Sequence, residues 1–158
     1  MAAVTPAGSS ALKRLFVDAG PLSLLAHPHA DARVRDWLRE ASQRAIVVIP
    51  EIADYEVRRE LIRANKTKSL RRLDELRSVL GFEPITSAAM LRAARFWADA
   101  RNRGKPTADE KELDADVILA AQAVECGART GAPVVVVTAN VGHLDQFVQT
   151  ERWPPDTG

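Results

Sequence analysis

The sequence predicts a three-layer α/β/α domain built on a central, mostly parallel sheet of four or five strands. Three observations carry this. Short apolar, β-branched runs alternate with stretches of helical periodicity in the order β-α-α-β-α-α-β-α-α-β. The strongest runs, 45–49 (AIVVI) and 134–137 (VVVV), are apolar without alternation, as strands buried on both faces are. The first run, Leu15-Phe16-Val17, ends in Asp18, and ligands of open parallel sheets bind outside the carboxyl ends of the strands.

Residues 1–12 are rich in small side chains and read as a flexible arm. The first strand covers 14–18, and Gly20-Pro21 breaks it ahead of a short helix near 21–26. Val34, Trp37, Leu38 and Ala41 recur at helical spacing and predict a helix over 31–44. The second strand, 45–49, stops at Pro50, which suits a helix start, with Glu51 in its first turn. That helix runs to about residue 65. Leu70, Leu73, Leu76, Val79 and Leu80 mark another over 67–80, with Gly81 as its stop. A short strand at 82–86 precedes a helix of 88–103 capped by Ser87. Residues 104–112 read as a polar loop, 114–126 as an alanine-rich helix, and 127–131 as a turn. The strand at 133–138 follows, then a short helix or turn and a weak final strand within 144–153. One domain over 13–153 with a tail at 154–158 accounts for the chain.

A domain of 158 residues buries roughly 70% of its unfolded surface, enough for its own core. The net charge of +1 excludes a global polycation, but the charge is patterned. Between 58 and 77 eight basic residues face three acidic ones, a local +5, while 109–116 holds five acids and one lysine. Cys126 is the only cysteine, so no intrachain disulfide can form, and a reducing, cytoplasmic setting is expected. No apolar run approaches the length of a membrane span, and no basic leader with an apolar stretch opens the chain.

Several polar groups are candidates for the edge that carries Asp18. Asp18 either caps the helix that follows it or carries chemistry. Glu56 lies in the helix after the second strand, with Arg59 and Arg63 three and seven residues on as ion-pair partners. Asp114 and Asp116 open the alanine-rich helix. Two residues apart on a helix is about 200° of rotation, so their carboxylates converge only if Asp114 is a non-helical cap. Thr138 and Asn140 follow the last strong strand and could orient water or phosphate. Were Asp18, Glu56 and Asp116 to meet, unit charges ~4 Å apart at an effective dielectric near 20 would repel by roughly 4 kcal/mol per pair. Such a cluster protonates or holds a cation. With three histidines and one cysteine in the chain, an all-oxygen set points to Mg²⁺ or Mn²⁺ rather than zinc.

Four segments, 16–26 (FVDAGPLSLLA), 50–61 (PEIADYEVRREL), 113–123 (LDADVILAAQA) and 135–144 (VVVTANVGHL), together resemble the PIN domain family, in particular its VapC-like toxin branch. The resemblance covers about 14–147. It implies a metal-dependent endoribonuclease that leaves 5′-phosphate and 3′-hydroxyl ends. It also implies Asp18, Glu56 and Asp116 as catalytic metal ligands, Asp114 as an extra acid that supports or ligates the metal, Thr138 and Asn140 as substrate-positioning groups, an antitoxin partner and a homodimer. Where many members carry an aspartate before a phenylalanine, this chain has His143-Leu144.

The leading expectation is therefore an Mg²⁺- or Mn²⁺-dependent ribonuclease acting on RNA, with Arg58, Arg59 and Arg63 as candidates for RNA phosphate. The alternative is a catalytically weak PIN-like module that binds RNA or a protein. A receiver-like phosphoaspartate domain fits poorly, because no lysine follows Lys111, and no glycine-rich phosphate loop occurs.

Overall fold

The computed structural model describes residues 12–104 and 110–155, without the side chains at 110 and 111. All but the last residue of the expected arm over 1–12, most of the polar loop and the end of the tail lie outside the described residues. Five parallel strands, β1 (Arg14–Val17), β2 (Ile46–Pro50), β3 (Gly81–Glu83), β4 (Val134–Thr138) and β5 (Thr150–Arg152), stand in the order β3-β2-β1-β4-β5. The helices are α1 (Ala19–Leu25), α2 (Ala32–Arg44), α3 (Glu51–Arg63), α4 (Thr67–Val79), α5 (Ser87–Asn102), α6 (Glu110–Thr130) and α7 (Val141–Leu144). This is the three-layer α/β/α arrangement that the alternating pattern predicts.

Alternate residues of each central strand enter different cores. Leu15, Val17, Val47, Ile49, Val135 and Val137 pack with Leu22, Trp37, Val57 and Leu73, from α1 to α4. Phe16, Val48 and Val136 face the other way, onto Leu119, Ala120, Ala123 and Cys126 of α6. The period of two along a strand sends these residues to opposite layers, and both layers are apolar. Helix α5 lies against α6 through Ala89, Ala93 and Ala100, facing Leu113, Val117 and Ala121. The alanines let these two helix backbones come close.

The chain moves outward from β1 to β2 and β3, then returns through α5 and α6 to β4 on the other side of β1. That reversal makes a switch point between β1 and β4, the kind of place at which ligands of open α/β sheets bind. The register Val17↔Val137 puts Asp18 beside Thr138 at this point.

Several boundaries differ from expectation, each for a local reason. Gly81 does not stop α4: it opens β3, where an added Cβ would meet Val48 Cγ2 at 3.0 Å, so close strand packing explains the glycine. Thr86, not Ser87, caps α5, its hydroxyl accepting from the Ala89 amide at 3.0 Å. Helix α6 begins at Glu110 and runs through the expected turn to Thr130, where Gly131 at φ +73° ends it.

One buried polar side chain joins the layers. Gln122, 1% exposed, accepts from the Ile52 amide (3.3 Å) in the first turn of α3 and donates to the Glu83 carbonyl (2.8 Å) at the end of β3. Gln122→Leu would strand both backbone groups at about 1–3 kcal/mol each. A urea titration should show a lowered midpoint with an unchanged slope, and an unchanged midpoint would contradict this role.

Candidate functional site

Asp18 sits at the end of β1 and does two things at once. Its Oδ1 accepts from the Ala19 amide (2.7 Å), capping α1, while its Oδ2 accepts from the Thr138 hydroxyl (2.7 Å). The two readings of this residue are thus compatible, since each carboxylate oxygen keeps a further lone pair. Thr138 is fully buried, and its hydroxyl also accepts from the Asn140 amide (2.9 Å). It was expected to position substrate. Its hydroxyl is instead committed on both sides, and its effect is to fix the Asp18 carboxylate. Asn140 is exposed at the start of α7 and makes no side-chain cap bond.

Glu56 projects from α3, half-buried, and Asp116 from α6. Burial raises the Glu56 pKa, the charge of Asp18 raises it further, and Arg59 offsets part of the shift. Asp116 is pushed up from 3.8 to about 7, first by burial and then by the charges of Asp18, Glu56 and Glu112. The three carboxylates expected to meet therefore lie within one another's field. Glu112 is an addition that the sequence reading missed. It stands four residues before Asp116, hence on the same face, and the signal was hidden by placing the helix start at 114. His143 Nδ1 lies 3.7 Å from Asp116 Oδ2.

Asp114 does not join this group. Since α6 begins four residues earlier, Asp114 is helical and no cap, and the 200° between it and Asp116 turns it toward α5. There it lines a cavity of about 420 Å³ with Met90, Trp97 and Val117. Its expected part in metal binding has no geometric support.

The basic candidates also divide. Arg58 is a structural residue. Its guanidinium binds Asp54 of the same helix through Nε (2.9 Å) and Nη2 (3.1 Å), and Asp74 of α4 through Nη1 (2.9 Å). Asp54 is 4% exposed, so this pair neutralises a buried charge and ties α3 to α4. Arg63 pairs with Glu60 at 2.9 Å on the surface. Arg59 is exposed, lies 5.1 Å from the Tyr55 ring centre and stands beside Glu56.

The donor set is wholly oxygen and carries mutually repelling charge, which is the chemistry of a site for a hard divalent cation. Among the described residues no three His, Cys, Asp or Glu side chains form a ready-made metal cage. Mg²⁺ asks for less than a cage, because it is held by one or two carboxylates and keeps water or phosphate oxygens for the rest of its shell. The carboxylates of Asp18, Glu56 and Asp116 are donors of that kind.

No protein-family model matches the sequence, and no curated protein matches it. Solved structures do match in fold. VapBC2 from Rickettsia felis, bound to a DNA fragment from its promoter, shares 13% identity at a TM-score of 0.71, over 89% of this chain and 98% of the other. DNA-bound VapBC from Salmonella typhimurium shares 18% at 0.64, over 89% and 98%. FitAcB from Neisseria gonorrhoeae shares 20% at 0.61, over 86% and 95%. The fold is therefore PIN-like, as the four motifs imply. Among the described residues no helix is long and apolar enough to cross a membrane.

Two outcomes are expected. Asp116 and Glu56 have raised folded-state pKa values, so in the absence of divalent cation the folded state holds protons that the unfolded state has released. For Asp116 that window runs from 3.8 to about 7. Its stabilising contribution is complete below the window and is lost as pH rises through it. In EDTA, the melting temperature of Asp116→Asn relative to the parent should climb from pH 4 to 7 and level off above; a flat difference would refute the shift. Arg58→Ala, which leaves buried Asp54 only the longer contact to Arg77 (3.9 Å), should lose up to about 3–5 kcal/mol in denaturant unfolding. Full stability with weakened RNA binding would instead restore Arg58 to the phosphate-binding set.

Proposed function

We propose that the chain is a metal-dependent endoribonuclease that hydrolyses RNA phosphodiesters with Mg²⁺ or Mn²⁺, and that it is the toxin of a toxin–antitoxin pair. The observation that carries this reading is the placement of Asp18 at the β1/β4 switch point, bound to Thr138, with Glu56 and Asp116 within its electrostatic field. The fold it shares with VapBC and FitAcB assemblies, and the motifs that resemble the VapC-like branch, support the toxin assignment.

In this reading Asp18, Glu56 and Asp116 hold the cation. When bound, it supplies an activated water and neutralises charge on the leaving oxygen. Asp18 is held by two hydrogen bonds, so little reorganisation is left for the moment of reaction. Asn140, exposed beside Thr138, is available to a phosphate oxygen. Arg59 and Arg63 offer charge to the RNA backbone from α3. A cognate antitoxin would use the exposed Tyr55 and Ile62, which line a cavity of about 590 Å³ with Arg59 and Arg77, and a basic side chain of such a partner would suit the acids. Self-association as a homodimer and a cytoplasmic location belong to the same reading.

A second reading, a PIN-like module that binds RNA or protein with little turnover, is favoured by one observation. The position that would supply a further acid carries His143, close to Asp116.

Purified protein should cleave a mixed RNA pool in Mn²⁺ or Mg²⁺, leaving 5′-phosphate and 3′-hydroxyl ends, and cleavage should vanish with EDTA or Asp116→Asn. Thr138→Val, which removes the group that orients Asp18, should cost about 10–100-fold in metal affinity or activity. Equal cleavage in every lane would mark a contaminant and leave the proposal without support. Failure to bind metal by calorimetry, with no cleavage, would favour the non-catalytic module.

A further inference from the structure

His143 stands beside the acids without sharing their chemistry. It follows β4 in α7, and its Nδ1 faces Asp116 Oδ2 across 3.7 Å. That is too long for a hydrogen bond, and neither side chain makes one with a described residue. From this contact we propose that His143 Nδ1 is a nitrogen ligand of the cation that Asp116 holds, and that it makes the site select Mn²⁺ over Mg²⁺. The proposal rests on the metal-dependent reading above and deepens it by naming the ion.

The position of the ring is set by its neighbours. Leu144, the next residue, is fully buried in the core that holds Phe16, Leu119 and Ala120, so α7 is pinned against α6. The His143 amide donates to the Asn140 carbonyl (3.1 Å), and the His143 carbonyl accepts from Gln146 Nε2 (3.0 Å). The backbone of His143 is thus committed while its ring nitrogens are not. The side chain is 45% exposed, which leaves water available to the other ring nitrogen, the outer partner that a ligating imidazole needs.

Charge and ligand preference point the same way. Asp116 already lies in the field of Asp18 and Glu56. A further carboxylate at 143 would add to that repulsion, whereas a neutral imidazole adds a lone pair and no charge. Carboxylates and water serve Mg²⁺ and Mn²⁺ alike, but imidazole suits transition ions, and Mg²⁺ is a hard ion that takes oxygen. One nitrogen in an otherwise all-oxygen set therefore breaks the tie. The residue that weakens the acidic set as a Mg²⁺ site is the one that suits it to Mn²⁺.

The test uses the full chain without RNA, beside His143→Ala and His143→Asp. Both substitutions keep buried Leu144, and a thermal melt in EDTA checks that each variant folds. Calorimetry gives the Mn²⁺ and Mg²⁺ affinities, and pulsed electron paramagnetic resonance detects directly bound nitrogen through its hyperfine coupling to Mn²⁺. The parent should show that coupling and bind Mn²⁺ more tightly than Mg²⁺. Both variants should lose the coupling. His143→Ala should weaken Mn²⁺ binding by at least about tenfold, as loss of even an outer-shell partner does, with a smaller change for Mg²⁺. His143→Asp, which returns an oxygen donor, should bind both ions with the preference for Mn²⁺ gone. Bound Mn²⁺ without nitrogen coupling, or coupling and preference unchanged in the variants, would overturn the role of His143 and leave the metal reading standing. Binding of neither ion by the parent would overturn the metal reading, and this inference with it.

Discussion

The hydrogen bond from the Thr138 hydroxyl to Asp18 Oδ2 joins residues 120 apart in sequence across the β4–β1 junction, and the candidate site depends on it. It requires the parallel register Val17↔Val137, which in turn requires both strands to be apolar on both faces so that each layer of helices can cover them. The Asp18 amide donates to the Val137 carbonyl at 3.0 Å, and the Asn140 amide donates back to Thr138. Backbone and side chain therefore agree on where the carboxylate lies. Because Thr138 is fully buried, its hydroxyl has no water to turn to, and a partner that cannot move away is a better anchor than a surface contact.

The remaining acids show how unusual this place is. Buried Glu83 is bound by Arg129, buried Asp54 by Arg58, and Glu125 by Arg92 at 2.6 Å. In each case a guanidinium on a neighbouring turn or element offsets the cost of withdrawing a carboxylate from water. Asp18, Glu56 and Asp116 are treated differently. Burial and their own mutual repulsion raise two of the three pKa values, and Arg59 relieves only Glu56 in part. A chain that neutralises its other buried acids but gathers these at the switch point has spent stability there, which makes the place a candidate functional site.

The central strands were legible because a buried parallel strand must be apolar on both faces, and few other elements read that way at five residues. Asp18 was legible because it ends such a run, and Asp116 because it stands at the head of an otherwise apolar, alanine-rich helical stretch. What escaped the sequence depended on tertiary partners. Arg58 looks like any member of a basic stretch until Asp74, sixteen residues on, closes around it. Gln122 sits inside an alanine-rich run and gives no local sign that it bridges α3 and β3.

Helix α6 shows how much depends on where a helix starts. Leu113, Val117 and Ala121 recur at intervals of four and pack on α5, while Leu119, Ala120 and Ala123 face the sheet. Asp114 precedes Val117 by three and so belongs to the first set. Asp116 precedes Leu119 by three and Ala120 by four, and belongs to the second. The sheet-facing row thus meets the carboxyl edge of the strands with Asp116, and one turn earlier with Glu112. Starting the helix at 114 makes Asp114 a cap that could bend toward its neighbour. Starting it at Glu110 makes both residues helical and sends them to opposite sides, and the acid left at the strand ends is the one with sheet-facing residues three and four positions ahead of it. The order of those apolar rows was in the sequence throughout, and it discriminates between the two aspartates where propensity at the helix start cannot.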